Sequence, residues 1–124
     1  MNIEISVQTS VSCCCLQNAV CGKLSEVFIN LHCTVEYYRS TKTLPLTGSI
    51  KEQLNRASLS IPLNLSEGRS RATIKEQKRF FNIALGSLRE SQTILLIENL
   101  ENTAQYRLLD KLAAHLYKLI QNAS

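Results

Sequence analysis

Cysteines, histidines, a ladder of polar residues and a basic cluster are the side chains of this 124-residue chain that could do chemistry. Cys13, Cys14, Cys15, Cys21 and Cys33 could in principle ligate a metal or form disulfides. An odd count with three adjacent members makes no disulfide framework, and on a helix three consecutive side chains diverge by about 100° each, which is poor geometry around one ion. They read as reduced, structural thiols. His32 and His115 stand alone. No H-E-x-x-H, no Glu-x-x-His pair of the kind a di-iron bundle uses, no glycine-rich phosphate loop and no nucleophile with a base at motif spacing accompanies them. The expectation is a protein that is not an enzyme, with no catalytic residue, no metal and no cofactor.

The polar ladder is Arg56, Ser60, Asn64 and Glu67, spaced by four, four and three, so a helix would put all of them on one face. If the helix carrying them pairs with the next one as a hairpin around residue 71, Arg56 comes near Ser87 and Glu90, and Glu67 near Lys75 and Arg79. Arg56, Asn64, Glu67, Ser87 and Glu90 are therefore expected to form a structural network that fixes helix register.

The basic cluster is Arg69, Arg71, Lys75, Lys78 and Arg79. Residues 50–90 hold eight basic and four acidic side chains, whereas 1–49 and 91–124 each hold three of either sign, so the whole net charge of +4 lies in the centre. Side chains of this density can neutralise several phosphates without reading bases. They are the expected nucleic-acid contact, to RNA or DNA, although Glu67 and Glu76 offset part of the charge.

The elements that must position these groups are helices. The chain has 44% hydrophobic residues, no Trp, 4 Gly and 2 Pro, too little turn punctuation for a many-stranded sheet fold. Residues 1–11 carry no helical stripe and read as a flexible extension ahead of a domain spanning 12–124. Leu16, Val20, Leu24, Val27, Leu31, Val35 and Tyr38 recur at helical spacing and predict a first helix over 12–39. A second is predicted over 49–67, opened by a Ser49-x-x-Glu52 capping box and closed at Gly68, with Ile50, Leu54, Ala57, Ile61 and Leu65 in the core. Pro62 inside it removes an amide donor to the carbonyl of Ser58, a loss that the Ser58 or Ser60 hydroxyl could offset.

A third helix is predicted over 74–99, opened by the box Thr73-x-x-Glu76, with Phe81, Ala84, Leu88 and Leu95 inward and Gly86 accommodating a close neighbour. The fourth runs over 103–121 through Tyr106, Leu109, Leu112, Leu116 and Leu119. Short connections between four amphipathic helices predict an all-α, antiparallel, up-down-up-down four-helix bundle. Leu59 and Leu63 lie away from the core stripe of the second helix, which predicts a homo-oligomer interface there. No apolar run is long enough to span a membrane, and no basic residue precedes Lys23 as a signal peptide would require, so a cytoplasmic location is expected.

The run Ser60-Ile61-Pro62-x-Asn64-x-x-Glu67-Gly68, followed by Arg79-Phe80-Phe81-x-Ile83-Ala84-x-Gly86-Ser87-x-x-Glu90, resembles the signature of the 23S ribosomal RNA intervening-sequence proteins, over residues 47–121. It is more distantly similar to the accessory variability determinant proteins of diversity-generating retroelements. The resemblance implies a four-helix bundle assembled as a ring-shaped homopentamer. It also implies RNA or DNA as a partner, or a reverse transcriptase in the retroelement case, and symmetry would repeat the basic surface around the ring.

Overall fold

A computed structural model describes residues 23–123, with side chains from Asn30 onward. Four α-helices follow one another: α1 (Lys23–Ser40), α2 (Gly48–Ser70), α3 (Ile74–Ile97) and α4 (Ala104–Asn122), with a short 3-10 turn at Thr41–Thr43. There is no strand among the described residues. The predicted extension over 1–11, the start of the first helix, and Cys13, Cys14, Cys15 and Cys21 lie outside them.

Cross-helix bonds give the topology. Tyr37 meets Ser58 and Lys42 meets Asn55, so α1 and α2 run in opposite directions. Ser60 bonds Ser87, and Gly68 sits against Phe81, so α2 and α3 are antiparallel as well. Gln92 reaches Asp110 between α3 and α4, and Gln105 reaches back to the carbonyl of Ser40, closing α4 onto α1. The result is the expected up-and-down four-helix bundle.

Its core is the predicted apolar stripe of three helices. Leu54, Ala57, Ile61 and Leu65 from α2, Phe81, Ala84, Leu88 and Leu95 from α3, and Leu109, Leu112, Leu116 and Leu119 from α4 are all buried. Each fully buried leucine contributes about 1.5–3 kcal/mol through removal of apolar surface from water. In α1 the stripe departs from the reading of the sequence. Leu31, Val35 and Tyr38 are only half-buried, and the inward face is Asn30, Cys33, Thr34 and Tyr37. Two of these polar groups are bonded: Thr34 Oγ1 donates to the Leu31 carbonyl at 2.8 Å, and the Tyr37 hydroxyl accepts from Ser58 at 3.3 Å, whereas Asn30 Oδ1 is buried without a partner. Burial pushes the Tyr37 phenol above its ordinary value, while hydrogen bonds with Ser58 and Ser91 pull the other way.

The helix ends show which local signals prevail. Thr73 and Thr103 cap α3 and α4, each hydroxyl accepting a backbone amide at 3.3 Å, from Glu76 and Tyr106. The Ser49 box does not open α2. The helix begins one residue earlier at Gly48, whose φ of 65° brings the chain in from an extended Thr47 that makes no side-chain cap. The third helix stops at Ile97 rather than Asn99. Asn99 takes a left-handed φ of 58°, with its amide on the Leu96 carbonyl and the Leu100 amide on that of Leu95, a Schellman closure.

Gly68 does not end α2 either, since the helix continues to Ser70. Its role is spatial. A Cβ built there would lie 2.8 Å from Phe81 Cε1 and 3.0 Å from Phe80 Cβ, so glycine is what lets both side chains pack against this point of α2. Gly86, by contrast, has nothing within 4 Å of such a Cβ and is exposed, so the close neighbour expected at that position sits at Gly68 instead. Pro62 is buried inside α2. Neither serine hydroxyl compensates for its missing amide: Ser58 donates to Tyr37, and Ser60 is engaged with Ser87.

Candidate nucleic-acid interface

The α2–α3 turn has only three residues outside the helices, so the last turn of α2 and the first turns of α3 form one end of the hairpin. The Arg71 amide bonds the Gly68 carbonyl at 3.2 Å, and Gln77 Nε2 donates to the Arg71 carbonyl at 3.0 Å. The turn is thus tied to both helices. Arg69 and Arg71 flank its start. Lys75, Lys78 and Arg79 follow on α3, three and four residues apart on one flank of the helix. Arg69, Lys75 and Arg79 are exposed, while Arg71 and Lys78 are partly covered. All five predicted contacts therefore gather at one end of one hairpin.

The cluster has internal structure that charge counting does not reveal. Arg71 forms an ion pair with Glu67 one turn before it. The same guanidinium lies over the Phe80 ring, 4.9 Å from its centroid, and Arg79 approaches that ring at 5.6 Å. Two like charges approach one aromatic ring, whose π-system attracts both. Phe80 belongs to the family-like motif, and by type alone an apolar residue there points to packing. Two arginines placed nine and one residue before a phenylalanine are the signal that could have shown its role.

The ladder resolves into a smaller cluster. Ser60 and Ser87 hydroxyls lie 2.9 Å apart, and Asn64 Nδ2 donates to the Ser60 hydroxyl at 2.9 Å and to the Ser60 carbonyl at 2.8 Å. Ser87 in turn accepts at its carbonyl from Ser91 at 3.1 Å. Arg56 and Glu90 are exposed and contribute nothing to this cluster, and Glu67 faces Arg71 instead of Lys75 or Arg79. The reason is rotation about the helix axis: Ser60 and Asn64 turn toward α3, and Arg56 turns out to solvent. Arg56→Ala is accordingly expected to shift unfolding free energy by less than about 0.5 kcal/mol in urea denaturation. A loss above about 1 kcal/mol would mean that its guanidinium has a buried partner.

Leu59 and Leu63 are 40% and 59% exposed, large values for leucines four residues apart on one face. Ile83 is exposed as well, and the Ser60–Ser87 and Gly68–Phe81 pairs set it level with Asn64 to Ser66. The hairpin thus bears apolar surface facing away from the core. His32 is exposed, and His115 keeps a buried Nδ1 without a hydrogen-bond partner. Among the described residues no group of three or more His, Cys, Asp or Glu could hold a metal, and no helix is long and apolar enough to cross a membrane.

No curated protein and no solved structure matches the chain. A family model described as 23S rRNA-intervening sequence protein matches residues 30–122, which is three quarters of the sequence and reaches all four helices. The chain belongs to the 23S rRNA-intervening sequence protein family.

Proposed function

We propose that the protein is a non-enzymatic, cytoplasmic four-helix bundle that self-associates and binds nucleic acid, RNA foremost, through Arg69, Arg71, Lys75, Lys78 and Arg79. The observation that carries this reading is the gathering of all five on one end of the α2–α3 hairpin, in the only part of the chain with net charge. The family's description, which refers to a ribosomal RNA insertion, is consistent with an RNA partner. The test is titration of the purified chain into a structured RNA and a duplex DNA at about 50 mM salt, where charge-driven contacts are strong. Binding supports the reading, and its absence for both ends it.

Self-association rests on Leu59, Leu63 and Ile83, an apolar strip that a single copy leaves in water. A homopentamer would repeat the basic end five times around a ring, turning modest charge on each subunit into a multivalent surface. Light scattering is expected to give a mass several times 13.9 kDa. The double change Leu59→Asp, Leu63→Asp should lower that mass while leaving helical circular dichroism intact. A wild-type monomer at micromolar concentration would contradict the assembly.

A second reading has an observation in its favour. Glu67 already pairs with Arg71, and Phe80 engages two of the arginines, so the basic residues have structural work of their own. On that reading the bundle is a protein-interaction module, with a reverse transcriptase as the partner that the retroelement resemblance suggests. The same titration separates the two.

A further inference from the structure

Phe80 sits in the second turn of α3 with a half-buried ring, its root pressed against Gly68. Arg71 comes to this ring from the interhelical turn, and Arg79 from the neighbouring position of the same helix, at 4.9 and 5.6 Å from the centroid. Two guanidiniums from different elements would repel one another in water. The shared Phe80 ring, and for Arg71 the Glu67 carboxylate paired with it, offset that repulsion and reduce the freedom of these side chains. Arg71 Nε is buried without an acceptor, so the ring and the carboxylate set the position of this guanidinium.

A guanidinium is a planar fork that accepts a carboxylate or a phosphate in the same geometry. Glu67 on Arg71 therefore stands where a phosphate oxygen would bind. We propose that Phe80 is a positioning residue for phosphodiester recognition: it holds Arg71 and Arg79 as a two-guanidinium clamp, and Glu67 is the internal anion that occupies Arg71 until a backbone phosphate displaces it. This rests on the nucleic-acid reading above and adds to it the ring that organises the clamp and the carboxylate that competes for it.

The experiment is a fluorescence-anisotropy titration of a labelled RNA hairpin with the full chain over a salt series. It compares wild type with Phe80→Leu, Phe80→Tyr, Glu67→Gln, Arg71→Ala/Arg79→Ala and the last combined with Phe80→Leu. Leucine keeps apolar bulk and every positive charge but removes the aromatic face. Phe80→Leu is expected to weaken binding about fivefold to twentyfold, since each guanidinium–ring contact is worth about twofold to fivefold. Phe80→Tyr should retain wild-type affinity. Glu67→Gln should tighten binding about twofold to fivefold, the worth of an exposed ion pair. Adding Phe80→Leu to the double arginine variant should change nothing more, because the ring then has no clamp to hold.

Wild-type affinity for Phe80→Leu, or a further loss when it is added to the arginine variant, would overturn the positioning role while leaving the nucleic-acid reading intact. A tyrosine variant that folds but binds as weakly as the leucine variant would do the same. Weaker binding by Glu67→Gln would overturn the displacement step. Failure of wild type itself to bind would instead remove the nucleic-acid reading.

Discussion

Replacing Gly68 with valine is expected to destabilise the bundle by about 3 kcal/mol, the upper part of the range for overpacking a tight contact. The new Cβ would lie 2.8 and 2.9 Å from two ring atoms of Phe81 and 3.0 Å from Phe80 Cβ. Phe81 is only 2% exposed, so its ring has nowhere to retreat, and the two helices must separate at this contact. The opposite sign is expected at Gly86, where a Cβ meets nothing within 4 Å. Gly86→Ala should stabilise by up to about 1 kcal/mol, because alanine is the better helix former and loses less backbone entropy. Urea unfolding of both variants checks the pair. A neutral Gly68→Val would mean that α2 and α3 do not approach as closely at this point as the structure has it.

These two glycines show where a sequence stops being legible. Both lie in helical patterns, and local rules give each a plausible duty: Gly68 as a helix stop, Gly86 as a site of close approach. What decides between duties is the register of the partner helix, and register is a tertiary quantity. The bundle itself was readable because apolar spacing is local. Leu54, Ala57, Ile61 and Leu65 announce one buried face of α2, and Thr73 and Thr103 announce two helix starts. In α1 apolar spacing points to a neighbouring face, since the true inward residues include Asn30 and Thr34, which hydropathy counts as surface. The Thr34 hydroxyl is satisfied by the Leu31 carbonyl, a bond the sequence does not display.

The candidate site divides in the same way. Charge and spacing were enough to single out Arg69, Arg71, Lys75, Lys78 and Arg79, since residues near one turn stay near one another whatever the tertiary fold. The aromatic centre at Phe80 and the pairing of Glu67 with Arg71 depend on how the turn folds back, and neither follows from spacing. Arg56 fails for a related reason. A position four residues from Ser60 shares its face on average, but the small angular drift along a helix is enough to carry a long side chain out of a polar cluster and into solvent.

Among the functional variants, Arg69→Ala combined with Arg71→Ala is expected to have a large effect on binding. Each phosphate contact on single-stranded nucleic acid contributes about 0.7 to the slope of log affinity against log salt, and about 0.9 on duplex DNA. At about 50 mM salt that slope amounts to about eightfold in affinity for each contact, so losing two should weaken binding by about 65-fold and flatten the slope by about 1.4 on single strands. Because phosphates and not bases are the target, the loss should be similar across unrelated sequences. Oligomer mass should not change, since neither arginine belongs to the Leu59, Leu63 and Ile83 strip. Weakening confined to one RNA sequence would indicate base recognition, and an unchanged affinity would assign both arginines to the fold.

Phosphate engagement by this hairpin end is the central claim, and the salt dependence of wild-type binding to a structured RNA measures it directly. Five basic side chains per subunit predict a slope of log affinity against log salt of about −2 to −4, with binding evident at about 50 mM salt and largely lost at several hundred millimolar. A flat salt dependence, or no binding at about 50 mM salt, would contradict it.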